Sequence, residues 1–189
     1  MAAKCSECQL EQRLEGVRPD VAFSTDGQRI AIEIQNSTLD VREISRRTIR
    51  YTELGMYVLW LAPCDGPKLV WRDDEETYVC RPKEWEKYLH AMYYGRMYFW
   101  QSQAEVIPYH FDVFKSWVEE SHWFDTDGDE RSAGGYYRTA KALKIPMAYS
   151  ERSLHIVEDF ASSKRNRFIS KNWLVPRCNL WKDALSAWW

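Results

Sequence analysis

Between Val21 and Ile34 apolar and polar positions alternate with a period of two, interrupted once by Asp26-Gly27. An Asp-Gly pair between two alternating runs predicts a β-hairpin with a two-residue loop. That loop sets a register in which Thr25 opposes Gln28, Phe23 opposes Ile30, Val21 opposes Ile32 and Asp20 opposes Glu33. Ile30, Ile32 and Ile34 share one parity with Val21 and Phe23, which assigns them to the core and leaves Ala31, Glu33 and Gln35 on the opposite, wet face. After Gln35 the period becomes 3.6. Ser37, Thr38 or Asp40 can cap a helix, Val41, Ile44, Thr48 and Tyr51 recur at three and four, and Gly55 stands where the helix would close. Met56 to Ala62 is then an unbroken apolar run of strand length, so strand, helix and strand imply a right-handed parallel crossover.

The pattern on either side is simpler. A strand is expected over Gln9 to Leu14, a short strand over Lys68 to Arg72, and a helix over Pro82 to Met92 that stops before Gly95. Met97 to Trp100 and Val106 to Phe111 form a second strand pair, and residues 112–124 and 132–144 are expected to be helical. Between those helices lies Asp125-Thr-Asp-Gly-Asp-Glu130. It lacks the Asp-x-Asp-x-Asp-Gly order and the twelfth-position glutamate of a calcium loop, and reads as a solvated turn. The expected class is α/β: a mixed β-sheet flanked by helices over residues 1–95, then a β-hairpin and a mainly helical C-terminal extension over 96–189.

The hairpin register also raises a chemical question. Side chains directly opposed on one sheet face have Cβ atoms roughly 5 Å apart, and two carboxylates there repel each other. Asp20 and Glu33 therefore need a compensating charge. A hard divalent cation, Mg²⁺ or Mn²⁺, is one answer, because such ions are held by one or two carboxylates with waters and a substrate phosphate. The other is Arg18, opposite Gln35 and diagonal to Glu33, neutralising the glutamate without metal. Geometry alone leaves the two level. Arg42, Arg46, Arg47 and Arg50 on the following helix either face phosphates or form solvated ion pairs, Glu43 being within reach of Arg46 and Arg47.

Arg18-Pro19-Asp20, Ile32-Glu33-Ile34-Gln35-Asn36-Ser37, Arg47-Thr48 with Tyr51 and Gly55, and Val58-Leu59-Trp60 together resemble the competence protein CoiA-like family, within the PD-(D/E)XK superfamily of restriction-endonuclease-like nucleases. The resemblance is specific over residues 9–62 and weaker over 88–112, through Tyr93-Tyr94-Gly95 and Pro108-Tyr-His-Phe-Asp112. It implies a restriction-endonuclease-like core and a metal-dependent nuclease acting on phosphodiester bonds, with DNA ahead of RNA as substrate and DNA uptake or recombination as the setting. Asp20 and Glu33 match the metal-binding acids, the carbonyl of Ile34 would complete the set, and Gln35 takes the catalytic position usually held by lysine. A glutamine offers a neutral donor and acceptor where lysine offers charge, so more of the electrostatic stabilisation falls to the metal, with Arg47 as supplement. Ser37, Arg47 and Tyr51 are expected at the nucleic acid.

Superfamily members open with a helix carrying a supporting glutamate. Here about eight residues precede the first expected strand, so that helix is expected to be missing or supplied by a partner subunit or second copy. Glu11 on that strand either points toward the acidic pair or is an exposed strand residue. A catalytically inactive nucleic-acid-binding module and a protein-interaction subunit are the alternative functions.

Composition narrows the setting. The 189 residues are 45% hydrophobic, enough to bury a core of their own. No apolar run approaches membrane-spanning length and no signal-peptide pattern is present, so a cytoplasmic protein is expected. Five cysteines at irregular spacing suit a reducing compartment. Cys5-Ser-Glu-Cys8 is half of a zinc set without a second CxxC, and reduced thiols are the default. Net charge is −2, yet residues 152–189 hold seven Lys or Arg against three acids, a tail of +4 on a body of −6. Lys164, Arg165, Arg167 and Lys171 there interleave with Phe168 and Trp173, a mixture that single-strand binders use for backbone and bases; the alternative is that the rings dock on the body. The terminal Trp188-Trp189 suggests an interface.

Overall fold

The computed structural model describes residues 6–63, 70–72, 77–101, 105–112, 115–139, 143–145, 154–159, 163–165 and 173–183. Asp26 and Gly27 both take positive φ, 48° and 77°, the geometry that matches a two-residue turn to strand twist. The hairpin of β2 (Val21–Thr25) and β3 (Gln28–Ile34) accordingly has Thr25 opposite Gln28, Phe23 opposite Ile30 and Val21 opposite Ile32. The ladder ends there, and Asp20 lies in the bend before β2 rather than in a strand pair with Glu33. β1 (Ser6–Leu10) pairs antiparallel with β2. It stops short of the expected Leu14 because the chain turns at Glu11, where φ is 49°, and Leu14 then bridges to Val17.

α1 (Val41–Glu53) begins at Asp40, whose carboxylate accepts the Arg42 amide at 2.8 Å, and ends before Gly55, φ 68°. Its Ile44, Thr48 and Tyr51 are buried. β4 (Met56–Pro63) returns parallel to β3. The chain continues through β5 (Val70–Arg72), β6 (Thr77–Cys80), α2 (Glu84–Met92), β7 (Met97–Gln101) and β8 (Glu105–Tyr109). Next come β9 (Lys115–Val118), β10 (Ser121–Phe124), β11 (Glu130–Ala133), β12 (Tyr136–Thr139) and β13 (Leu143–Ile145). β14 (Leu154–Asp159), β15 (Ser163–Arg165), β16 (Trp173–Val175) and β17 (Cys178–Asp183) close the series.

The main sheet is mixed. β1, β2, β3 and β4 lie side by side, and the far edge of β4 is divided between two strands. β17 pairs there at Val58 and β7 from Leu61 to Pro63, both parallel to β4. β14 and β8 extend these two antiparallel. Between the two pairings, the Tyr93 hydroxyl donates to the Val58 carbonyl and accepts the Trp60 amide, each at 3.0 Å. One side chain thus satisfies the strand edge that neither neighbour reaches.

Buried residues line both faces of this sheet. α1 and α2 pack on one face around Ala31, Ile44, Tyr51, Trp60, Trp85 and Tyr88. The other carries a smaller cluster of Phe23, Ile30 and Tyr57 with Val21, Ile32 and Trp181. The face expected to be wet is therefore the one beneath α1: Ala31, Glu33 and Gln35 are all buried. The crossover helix covers exactly the parity that a two-stranded reading leaves to solvent.

The expected helices over 112–124 and 132–144 are strands instead. β10 pairs with β11 and β9 with β12, forming a nested ribbon that folds back at Asp125–Asp129. Asp125 closes that turn by accepting the amides of Asp127 and Asp129, each at 3.0 Å, and the Arg131 guanidinium at 2.8 Å. Among the described residues no helix is long and apolar enough to cross a membrane.

Candidate active site

The site forms where β3 hands over to α1. Alternation along β3 points Ala31, Glu33 and Gln35 toward the helix. Glu33 is only 2% exposed. Two α1 residues four apart reach its Oε1: Tyr51 donates its hydroxyl and Arg47 forms an ion pair. Arg47 also donates to the Arg18 carbonyl at 3.0 Å and lies over the Trp60 ring, 5.5 Å from its centre. Trp60 is anchored in turn through Nε1 to Thr48 Oγ1 at 3.0 Å.

Asp20 enters from the opposite strand edge. The Gln35 amide bonds to the Leu61 carbonyl on the β4 side at 2.8 Å, so the neighbouring Ile34 amide points to the edge where β2 has ended. Asp20 Oδ2 accepts that amide at 2.6 Å. The Ile34 carbonyl shares this edge with its own amide. Gln35 is fixed through Nε2, which donates to the Ser37 carbonyl at 2.7 Å and to Ser37 Oγ at 3.0 Å.

Burial pushes the Glu33 carboxyl up to about 7. The Tyr51 hydrogen bond and the Arg47 charge oppose that rise, and the negative charge of Asp20 adds to it. The Asp20 charge therefore reaches Glu33 although the two are not paired across the ladder. Burial and the neighbouring Glu33 push the Tyr51 hydroxyl up, so it stays a donor.

Each acid spends one oxygen on protein: Oδ2 of Asp20 on an amide, Oε1 of Glu33 on Tyr51 and Arg47. Two remaining carboxylate oxygens and a backbone carbonyl suit a hard cation that keeps waters and binds substrate phosphate. Among the described residues no group of three His, Cys, Asp or Glu is placed to hold a metal, so the acidic donors here number two. The donor chemistry fits Mg²⁺ or Mn²⁺.

Asp20, Glu33, Ile34, Gln35 and Ser37 are thus gathered at one strand end. Tyr51 needs correction as a nucleic-acid contact: it is fully buried, and its hydroxyl serves Glu33. Arg18 needs correction as the partner of Glu33, since it pairs with the exposed Glu11 while Arg47 takes the glutamate. Lys164 and Arg165 lie on β15, opposite Leu174 and Trp173. Trp173 is buried and packs edge-on against Tyr88 with ring centres 5.5 Å apart, the docking alternative for this ring. Arg167, Lys171, Phe168, Cys5 and Trp188-Trp189 lie outside the described residues. Sequence reasoning missed the Arg47–Tyr51 grip on Glu33. Its signal was the i, i+4 spacing of two polar-tipped residues on the helix that follows the acidic strand.

The family model for the competence protein CoiA, nuclease-like domain, matches residues 2–114. That is more than half of the 189 residues, and the chain belongs to this family. No curated protein and no solved structure gives a significant match. The matched part ends where the β9–β12 ribbon begins.

Proposed function

We propose that this member of the CoiA nuclease-like family is a metal-dependent deoxyribonuclease of the PD-(D/E)XK type, working in the cytoplasm. The observation that carries the reading is the convergence of Asp20, Glu33 and Gln35 at the end of β3, with the Ile34 carbonyl on the Asp20 edge. A bound Mg²⁺ or Mn²⁺ would supply Lewis-acid activation of the phosphate and lower the pKa of the attacking water.

The chain's own groups divide the remaining work. Asp20 and Glu33 would hold the cation through the oxygens not spent on Ile34 and Tyr51. Tyr51 keeps Glu33 oriented while adding no charge. Gln35, pinned by Ser37 through Nε2, offers Oε1 as the acceptor that orients a water; being neutral, it positions the water without taking its proton at working pH. Arg47 contributes positive charge beside the reacting phosphate.

The test is incubation of the purified full chain with labelled single- and double-stranded DNA and RNA, in Mg²⁺, Mn²⁺, Ca²⁺ or EDTA. The expected result is Mg²⁺- or Mn²⁺-dependent cleavage of DNA that is lost in Asp20→Asn and Glu33→Gln. Cleavage that persists in Glu33→Gln removes this site from the chemistry. The Arg47 and Tyr51 contacts already made by Glu33 favour a second reading, a nuclease-fold module that binds nucleic acid without cutting it. Metal-independent binding with no cleavage under any condition would establish that one.

A further inference from the structure

We propose that Arg47 is a built-in counter-ion which occupies Glu33 until a divalent cation arrives and is then handed to the substrate phosphate, so that metal and phosphate binding reinforce each other. The proposal rests on the metal-dependent reading above.

A carboxylate as deeply buried as Glu33 needs a charge partner or a proton. Arg47 is that partner, on the same oxygen that Tyr51 serves. The other paired arginines of α1 have dedicated surface acids: Arg46 grips both oxygens of Glu43 at 2.7 Å, and Arg50 pairs with Glu53 at 2.8 Å and Glu15 at 3.1 Å. Among these, Arg47 alone is paired to an acid that the metal requires. Its remaining contacts do not lock it. All are neutral: the Arg18 carbonyl, the Tyr51 hydroxyl and the face of Trp60. Its side chain is 20% exposed where Glu33 is 2% exposed, so the guanidinium has a way outward that the carboxylate lacks.

A divalent cation shared by Asp20 and Glu33 neutralises the charge that holds Arg47 and repels its guanidinium. Tyr51, a neutral donor, can remain on Glu33. The displaced fork matches a phosphate bidentately, and the phosphate nearest to it is the one drawn to the same cation. Because coupling between two binding events is reciprocal, phosphate must tighten metal by the factor by which metal tightens phosphate. Removing Arg47 then has two opposite effects. With Glu33 ionised, metal alone binds more tightly, having lost the positive charge that opposes it, and the coupling to phosphate disappears.

The experiment is Mn²⁺ titration, read by the electron paramagnetic resonance of the free ion. The full-length wild type, Arg47→Met, Arg47→Gln and Glu33→Gln are titrated, with and without a short phosphorothioate duplex as the uncleaved probe. Arg47→Gln keeps a donor for the Arg18 carbonyl, so a folding failure of Arg47→Met does not end the test. The expected result is that the duplex tightens Mn²⁺ binding to wild type by about 5- to 10-fold. Without duplex, both Arg47 variants bind Mn²⁺ more tightly than wild type, and duplex then changes their affinity little. If the Arg47 variants bind Mn²⁺ no better than wild type while Glu33→Gln loses it, the counter-ion role is overturned and the nuclease reading stands. If Glu33→Gln binds Mn²⁺ as wild type does, the metal reading falls and this proposal with it.

Discussion

Glu33 is buried among groups that pull its proton affinity in opposite directions, and burial wins. With its carboxyl raised to about 7, the folded state holds a proton that the unfolded chain releases near the ordinary glutamate value. The native state is then the better proton binder between roughly pH 4.5 and 7, so stability falls as pH rises through that window and levels off above it. A shift of this size corresponds to about 3 kcal/mol. Glu33→Gln imitates the protonated form, so its stability should be flat across the window and exceed wild type at pH 8 by about 1–3 kcal/mol. Urea unfolding of both proteins at pH 5 and pH 8 checks this. A difference between them that is the same at both pH values would mean that Glu33 is ionised throughout. That Asp20 and Glu33 come near one strand end was legible in the sequence, because an Asp-Gly turn fixes register, although Asp20 lies in the bend before β2 and is not paired with Glu33. The roles of Arg47 and Tyr51 were not. Helical phase places them on one face, but which strand residue that face meets depends on how the helix crosses the sheet, and no local pattern encodes it.

At the scale of elements, β4 shows how a divided strand edge is completed. Its far side is shared by β17 and β7, and Tyr93 fills the interval. Tyr93→Phe keeps the ring and leaves the Val58 carbonyl and Trp60 amide without that partner, with an expected cost of about 1–3 kcal/mol in equilibrium unfolding. A variant as stable as wild type would show that another group or water takes over. The β9–β12 ribbon depends on Gly134, φ 107°, where a Cβ would sit 1.9 Å from the Glu119 carbonyl oxygen. Gly134→Ala should therefore loosen the ribbon, seen as faster proteolysis near residues 119–135 and a weakened near-ultraviolet signal from the Trp117–Tyr137 pair, whose ring centres are 5.0 Å apart. Equal proteolysis in both proteins would contradict that. The contrast with the β2–β3 hairpin explains the misreading of residues 112–144. One face of a sheet strand is normally buried and stamps a period of two on the sequence; β10 and β11 are exposed on both faces and carry no such stamp. Trp117, Trp123, Phe124, Tyr136 and Tyr137 favour strands, but with both faces in water their spacing identifies no core.

Across the whole molecule the charge is unevenly divided, with a body of −6 over residues 1–151 and a tail of +4 over 152–189. On the proposed nuclease reading, a nucleic acid drawn to the site would approach an acidic body, so cations elsewhere would have to supply much of the attraction. Lys164, Arg165, Arg167 and Lys171 are the densest group of them. Each phosphate neutralised releases counterions, and four such contacts on a duplex contribute about 3–4 to the slope of log affinity against log salt. Replacing all four by glutamine should reduce the slope by that amount and weaken binding at low salt, while leaving the single-turnover cleavage rate at saturating DNA near wild type. Glu33→Gln should do the reverse, abolishing the rate and keeping the slope. Fluorescence anisotropy over a salt series, paired with single-turnover kinetics, separates the two. If the four-fold variant keeps both affinity and slope, the segment's role is structural, carried by Trp173 packed on Tyr88, and the attraction for nucleic acid must come from α1, where Arg42 and Arg46 line the exposed side.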